Sequence, residues 1–339
     1  MKPANPTFAA QALPTRTPRR WLPMAAKLAI ALALFAWMLS SGKLDLAELR
    51  VFATDWPLTL GAFAFWLVGP VLLASLRWKL LLTTAGYQIS LARSLSLQLT
   101  GFFFTTVMPG SLGGDFIKVY YLIKENPGKG KSAALWAILF DRLIGMLGLF
   151  LVGAVFITAN LAALWQIALL RPVIALVYGY IAMCAVMMAA LQLMEPAQAA
   201  NTRPAGAMLA KLQDGLRACR AYRGQPGALA LATLLSTVSQ GLSFLFFAAL
   251  TARMTGAEHA WNTLGAIFPI GMAITTLPLS PGGLGVGHLA FEQLLAMIHL
   301  SGGANVYNAY FVSQTALNLS GVLAYLFNRP ANGGAMLRA

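Results

Sequence analysis

Asp141 and Arg142 stand side by side in an apolar run that begins after Ser132. At ~1.5 Å of rise per residue, Arg142 lies about 15 Å into that run, near the middle of a ~30 Å hydrocarbon core. A charge at such depth is costly and faces either a partner or a water-filled cavity. The guanidinium of Arg142 has the planar fork of donors that suits bidentate phosphate binding; a structural ion pair within a helix bundle is the competing reading. Asp141 reads as a counter-ion or proton carrier. Adjacent residues of a helix do not face each other, so its partner is expected elsewhere than Arg142.

A second chemistry is suggested by a glycine-rich string used twice, Pro109-Gly110-Ser111-Leu112-Gly113 and, at an offset of 172, Pro281-Gly282-Gly283-Leu284-Gly285. Gly and Pro are unfavourable inside a helix, so each string marks a break after an apolar run. Helices starting near Gly114 and Gly287 would aim their N–H groups and dipoles inward, towards an anionic group. Gly110, Gly113, Gly114, Gly282, Gly283 and Gly285 would allow close backbone approach to it, unless they serve only tight helix packing. Asp115 is placed to cap the helix that follows the first string. His288 and Glu292 are four apart on one helical face, as in a proton relay, although a merely polar face has the same spacing. No third ligand for a metal accompanies them, and no cofactor motif is present. Adding the offset of 172 to Asp141 and Arg142 gives Ser313 and Gln314, both polar, which suits a shared central cavity.

The elements that must position these residues are read from hydropathy. The chain is 58% hydrophobic and 10% charged, with a mean hydropathy of +0.70. That composition is foreign to a soluble domain and fits an all-α polytopic membrane protein. Full spans are expected at about 21–40, 57–76, 133–157, 172–194, 227–250 and 305–327. Shorter apolar stretches at 89–108 and 262–280 run into the glycine strings, with helices at 116–124 and 288–300 beyond them. Residues 1–20 form a basic, Pro- and Thr-rich arm expected to be disordered, 195–226 a basic amphipathic loop, and 330–339 a short tail. The two cysteines, Cys184 and Cys219, make no disulfide framework.

The net charge of +14 is carried largely by segments flanking the apolar runs, which favours anionic lipid headgroups over nucleic acid as the partner. Lys and Arg crowd 1–20, 77–93, 118–131 and 195–226, whereas 300–304 has none. All the crowded segments fall on one side, with both termini cytoplasmic, if 89–124 and 262–300 are re-entrant hairpins rather than full crossings. The same offset of 172 carries 57–76 onto 229–248 and 133–157 onto 305–329. The expected architecture is therefore an inverted repeat of span, re-entrant hairpin and span, in a single transmembrane domain over 21–329. Its halves cover about 57–157 and 227–329, with six full spans in all.

Arg77-Trp78, MPGSLGGDFIKVYYL at 108–122, DRLIGMLGL at 141–149 and SPGGLGVG at 280–287 resemble the membrane domain of lysylphosphatidylglycerol synthetase/flippase proteins and their stand-alone relatives. The likeness extends over nearly the whole chain after residue 20 and departs from the family pattern at His288, where that pattern has Glu. It implies a flippase-like lipid transporter in a bacterial cytoplasmic membrane, without the aminoacyl transferase domain of the larger members. Arg77 belongs to the shared pattern and joins the candidate headgroup ligands, although Arg77-Trp78-Lys79 by itself reads as an interface anchor.

The leading expectation is movement of a lipid or lipid-linked headgroup, anionic or zwitterionic, through a midplane cavity between the hairpins. The rival classes are a non-transporting partner of a lipid-modifying enzyme and an intramembrane lipid transferase. The sequence has no HExxH, GxSxG or P-loop, so hydrolysis and nucleotide use are not expected.

Overall fold

A computed structural model of the chain describes residues 50–107, 113–128, 131–193, 215, 219–257, 261–276 and 285–327. The expected span at 21–40, the N-terminal arm, most of the 195–226 loop, the tail and the glycines Gly110, Gly282 and Gly283 lie outside the described residues.

Among the described residues every regular element is a helix. A short α1 (Arg50–Thr54) leads into α2, which runs Trp56–Thr84. Asp55 starts α2 by accepting the Leu58 N–H at 3.0 Å. Pro70 lacks an N–H and crowds the carbonyl four residues back, and the helix widens to a π-helical stretch, Leu67–Leu73, around it. The helix then continues. Arg77, Trp78 and Lys79 lie inside α2 rather than at the end of a span closing at 76, which corrects the interface-anchor expectation. Trp78 is only 1% exposed.

Two shorter helices follow, α3 (Leu91–Val107) and α4 (Gly113–Glu125), and then the long α5 (Lys131–Ala159). A brief α6 (Leu161–Gln166) precedes α7 (Arg171–Leu193). The same order recurs in α8 (Pro226–Thr255), α9 (Trp261–Thr275), α10 (Val286–Met297) and α11 (Gly303–Phe327). Helix starts at 56, 91, 113 and 131 thus answer to starts at 226, 261, 286 and 303. Among the described residues, four segments are long and apolar enough to cross a membrane: Trp56–Thr84, Ala133–Ala159, Ala168–Leu193 and Pro226–Thr255. The expected last span is present as α11 but is too polar to be counted with them. Its Thr315 and Asn318 are buried against neighbouring helices, so that face does not need an apolar surface.

Directions are fixed by contacts at helix ends. α2 and α8 are antiparallel: Arg253 Nε reaches Asp55 Oδ2 at 3.3 Å at one end, and Arg77 Nη1 donates to Ser236 Oγ at 2.6 Å at the other. α5 runs parallel to α8, with Gly148 against Ser236 and the rings of Phe156 and Phe244 4.7 Å apart. The shorter pairs are exchanged between the two sets. α3 packs antiparallel on α11, where Asn318 Nδ2 donates to Thr106 Oγ1 at 2.8 Å and Gly321 rests on the Leu99 carbonyl. α9 packs antiparallel on α5, with Pro269 against Gly153 and Gly265 against Phe156. Within the first short pair, Gly114 lies directly on the Gly101 carbonyl.

These close approaches are testable. A Cβ at Gly321 would meet backbone, whereas one at Gly61 meets nothing within 4 Å. Gly321→Ala should destabilise by about 1–3 kcal/mol through overpacking, while Gly61→Ala should be neutral or stabilise by up to ~1 kcal/mol through helix propensity. Thermal unfolding of both variants in one detergent reads the difference, and equal melting temperatures would contradict the α3–α11 contact.

Candidate functional site

Asp141 and Arg142, neighbours on α5, project to different helices. Asp141 turns to α2 and accepts two hydrogen bonds from Arg77, Nε to Oδ1 at 2.8 Å and Nη2 to Oδ2 at 3.1 Å. Both side chains are 11% exposed. This bidentate geometry satisfies fork and carboxylate together. Gly145, one turn beyond Asp141, leaves room for the guanidinium, since a Cβ there would stand 3.3 Å from Arg77 Nη1. Ser236 on α8 takes the remaining edge of Arg77. Three helices therefore meet on one guanidinium, and Arg77 is a buried bridge.

Arg142 turns to α4 and pairs through Nε with Asp115 Oδ2. Asp115 belongs to the first turn of α4, which begins at Gly113, so it is not the residue ahead of the helix that capping would require. Its charge still complements the positive end of the helix. This second pair is more open than the first, at 38% exposure for Arg142 and 20% for Asp115.

One turn further along α4, Lys118 is 7% exposed. Its Nζ donates to Gln98 Oε1 on α3 at 2.6 Å and lies 5.2 Å from the centroid of the Trp78 ring and 5.9 Å from that of Phe102. Gly101 makes this possible, because a Cβ there would fall 2.6 Å from Lys118 Cε. Lys118 is within electrostatic reach of Asp115, Asp141, Arg77 and Arg142. The cluster so formed holds the cations Arg77, Lys118 and Arg142 and the carboxylates Asp115 and Asp141. Sequence reading counted Lys118 among basic loop residues and passed over Gln98 and Ser236. The available signal was the i, i+3 spacing of Asp115 and Lys118, which puts both on one face of α4.

The remaining expected residues lie elsewhere. Ser313 accepts the Trp66 indole N–H at 3.1 Å and donates to the Tyr310 carbonyl at 2.7 Å, within an aromatic core. Gln314 is half-buried beside it on α11. His288 Nδ1 accepts the Gly285 N–H at 3.3 Å and its Nε2 is 3.2 Å from Asn308 Oδ1, fastening the start of α10 to α11. Glu292 Oε2 accepts the Ala304 N–H at 2.7 Å and closes the start of α11. These two side chains thus serve different helix ends. Gly113 and Gly114 are buried at the α3–α4 contact, and Gly285, at φ 76°, turns the chain into α10.

The positions of the second half at an offset of 172 from Arg77, Asp115, Lys118, Asp141 and Arg142 are Ala249, Gly287, Ala290, Ser313 and Gln314. The charges of this cluster have no charged counterpart at that offset.

With this geometry in hand, comparison with known proteins gives one finding. The family model for the "Lysylphosphatidylglycerol synthase TM region" matches residues 24–312. The chain belongs to that family. Searches of curated proteins and of solved structures returned no match.

The contrast between the two ion pairs is measurable. Asp141→Asn strands Arg77 in a buried setting and should cost about 3–5 kcal/mol, most of which the double variant Arg77→Met/Asp141→Leu recovers. Asp115→Asn, at the more exposed pair, should cost ~1 kcal/mol or less. Unfolding in detergent with the four proteins side by side checks the order, and a cost for Asp115→Asn matching that of Asp141→Asn would refute it.

Proposed function

We propose that this member of the lysylphosphatidylglycerol synthase TM region family is a flippase-like transporter that moves a lipid or lipid-linked headgroup between leaflets. A role with membrane lipids follows from the family and the apolar helices. The reading of movement is carried by the Arg142–Asp115 pair: a phosphate-binding guanidinium, more exposed than Arg77, whose counter-ion sits in the first turn of a short helix. An incoming phosphate competes with Asp115 for the same donors, and the N-terminal end of α4 favours that negative charge. Binding at Arg142 is thereby an exchange of one anion for another rather than the creation of a new buried charge.

The proposed architecture is an inverted repeat with two re-entrant hairpins. The antiparallel course of α2 and α8 supports it, as does the recurrence of four helix starts in the two halves. α3 and α4 have 17 and 13 residues, and α9 and α10 have 15 and 12. At ~1.5 Å per residue these reach about 18–26 Å, short of a ~30 Å core. Both termini face the cytoplasm of a bacterial cell in this scheme, because basic segments stay on that side. Rocking of one repeat against the other would open Arg142 to each leaflet in turn while acyl chains remain in the bilayer. A gradient or the lipid's own imbalance supplies the drive, and the lipid emerges chemically unchanged.

Proteoliposomes with headgroup-labelled phosphatidylglycerol, quenched from outside, test this proposal. Wild-type protein should equilibrate the label between leaflets. Arg142→Ala should slow the process by roughly 10- to 100-fold, as expected from loss of ~1.5–3 kcal/mol of charge-assisted hydrogen bonding. No label movement above empty liposomes would favour a non-transporting partner of a lipid-modifying enzyme. A chemically altered label in the extracted lipid would identify an intramembrane transferase instead.

A further inference from the structure

Lys118 is the charge that this transport scheme leaves unused. The chain has 10 Asp and Glu residues. Among the described residues, Asp55 meets Arg253, Glu125 meets Arg93, Asp115 meets Arg142, Asp141 meets Arg77, and Glu292 holds the start of α11. The others, Asp45, Glu48, Glu195, Asp214 and Glu258, lie outside the described residues. Lys118, 7% exposed, meets a neutral amide and two aromatic faces. The carboxylates within its electrostatic reach, Asp115 and Asp141, are each paired with an arginine, and a buried cation is unfavourable unless an anion joins it.

A second observation points the same way. The indole N–H of Trp78, a side chain 1% exposed, is buried without a hydrogen-bond acceptor. Its ring is the one over which the Lys118 ammonium lies. Buried donors of this kind are rare in folded proteins, and each has a cause. An ammonium has three donors, of which Gln98 engages one, and among the described residues no carboxylate forms an ion pair with it. The sum of charge agrees: Arg77, Lys118 and Arg142 against Asp115 and Asp141 leave one positive charge in excess.

We propose that Lys118 and the Trp78 indole N–H form an inner anion site that takes one phosphodiester group, so that this cluster selects a headgroup with a single negative charge at the phosphate. The inference rests on reading the cluster as a headgroup site and adds to it the charge that the headgroup must bring. A monoanion brings the cluster to three positive and three negative charges, whichever cation holds the phosphate at a given moment. A dianion overshoots, and a zwitterion brings a cation that finds no carboxylate to spare. Arg142 is the outer, more exposed station, and Lys118 lies one α4 turn beyond its partner Asp115.

The test is lipid retention, read by native mass spectrometry of full-length protein from nanodiscs of phosphatidylcholine containing a minor share of phosphatidylglycerol. Wild type should retain phosphatidylglycerol at least about tenfold above its share of the bilayer. Lys118→Met should abolish that enrichment without lowering the melting temperature, because it removes a buried charge and keeps the stem. Trp78→Phe keeps the ring and removes only the N–H, and should lower enrichment by about three- to tenfold. If Lys118→Met fails to fold, Trp78→Phe decides alone. Millimolar inorganic phosphate distinguishes the sources of the anion: enrichment that survives it identifies the lipid phosphodiester, and Lys118-dependent displacement identifies free phosphate as the ligand of the same site. Enrichment unchanged in both variants overturns the proposal. Retention through Lys118 without any leaflet exchange would sink the transport reading and leave this site standing. Exchange that proceeds equally with Lys118→Met would do the reverse.

Discussion

The buried bidentate pair of Arg77 and Asp141 is the constraint on which the arrangement of the first half depends. A lone charge at either position would stand in surroundings that cannot hydrate it, so α2 and α5 must lie where the two groups meet. The pairing lets α2 run on past residue 76 to Thr84, carrying Trp78 inward. Ser236 attaches α8 to the same guanidinium, and Gly145 and Gly148 let the three helices approach closely enough for those bonds to form. Once Asp141 faces α2, the ~100° step to the next residue directs Arg142 away, towards α4. The position of the α3–α4 hairpin is therefore tied to an ion pair that it does not itself contain.

The two halves have the same order of long and short helices and differ in what fills their contacts. In the first, charges at the helix contacts are matched to glycines at 101, 114 and 145, which provide space for Lys118, for a backbone contact and for Arg77. In the second, aromatic rings take over. Phe247, Phe291 and Tyr307 are buried at 3% exposure or less, and the rings of Phe291 and Tyr307 stack with centroids 5.1 Å apart. Gly271 and Gly287 there make room for the rings of Phe291 and Tyr307. Close-packed rings forfeit dispersion contacts on any displacement, whereas ion pairs with one exposed member can change partners. The α3–α4 pair accordingly has the contacts that can change partners, and α9–α10 those that resist displacement.

Much of this was legible in the sequence. Apolar runs interrupted by Pro and Gly give α3, α4, α9 and α10 to within a few residues, and the offset of 172 carries the helix starts of the first half to within two residues of starts in the second. A charge doublet inside an apolar run is rare enough to single out Asp141 and Arg142, and the expectation that they have separate partners agrees with the geometry. What escaped was decided by tertiary contact. Arg77 follows an apolar stretch and reads as an anchor until Asp141, 64 positions on, is found beside it. Lys118 reads as a loop cation because its burial depends on Gln98 and on the absence of a side chain at Gly101. His288 and Glu292 share a helical face, yet long side chains on one face can still reach different ends, and here one turns back to Gly285 and the other forward to Ala304.

The remaining question is why charge is present here at all. Buried ion pairs seldom add stability over well-packed apolar groups of similar volume. The second half answers for this fold in particular. At the positions corresponding to the five charged residues it has Ala249, Gly287, Ala290, Ser313 and Gln314, and its helices pack as a long helix, two short ones and a long one all the same. The helices of the second half thus form without charge at those five places. Among the described residues of this cluster three cations stand against two carboxylates, an imbalance that apolar packing alone does not explain.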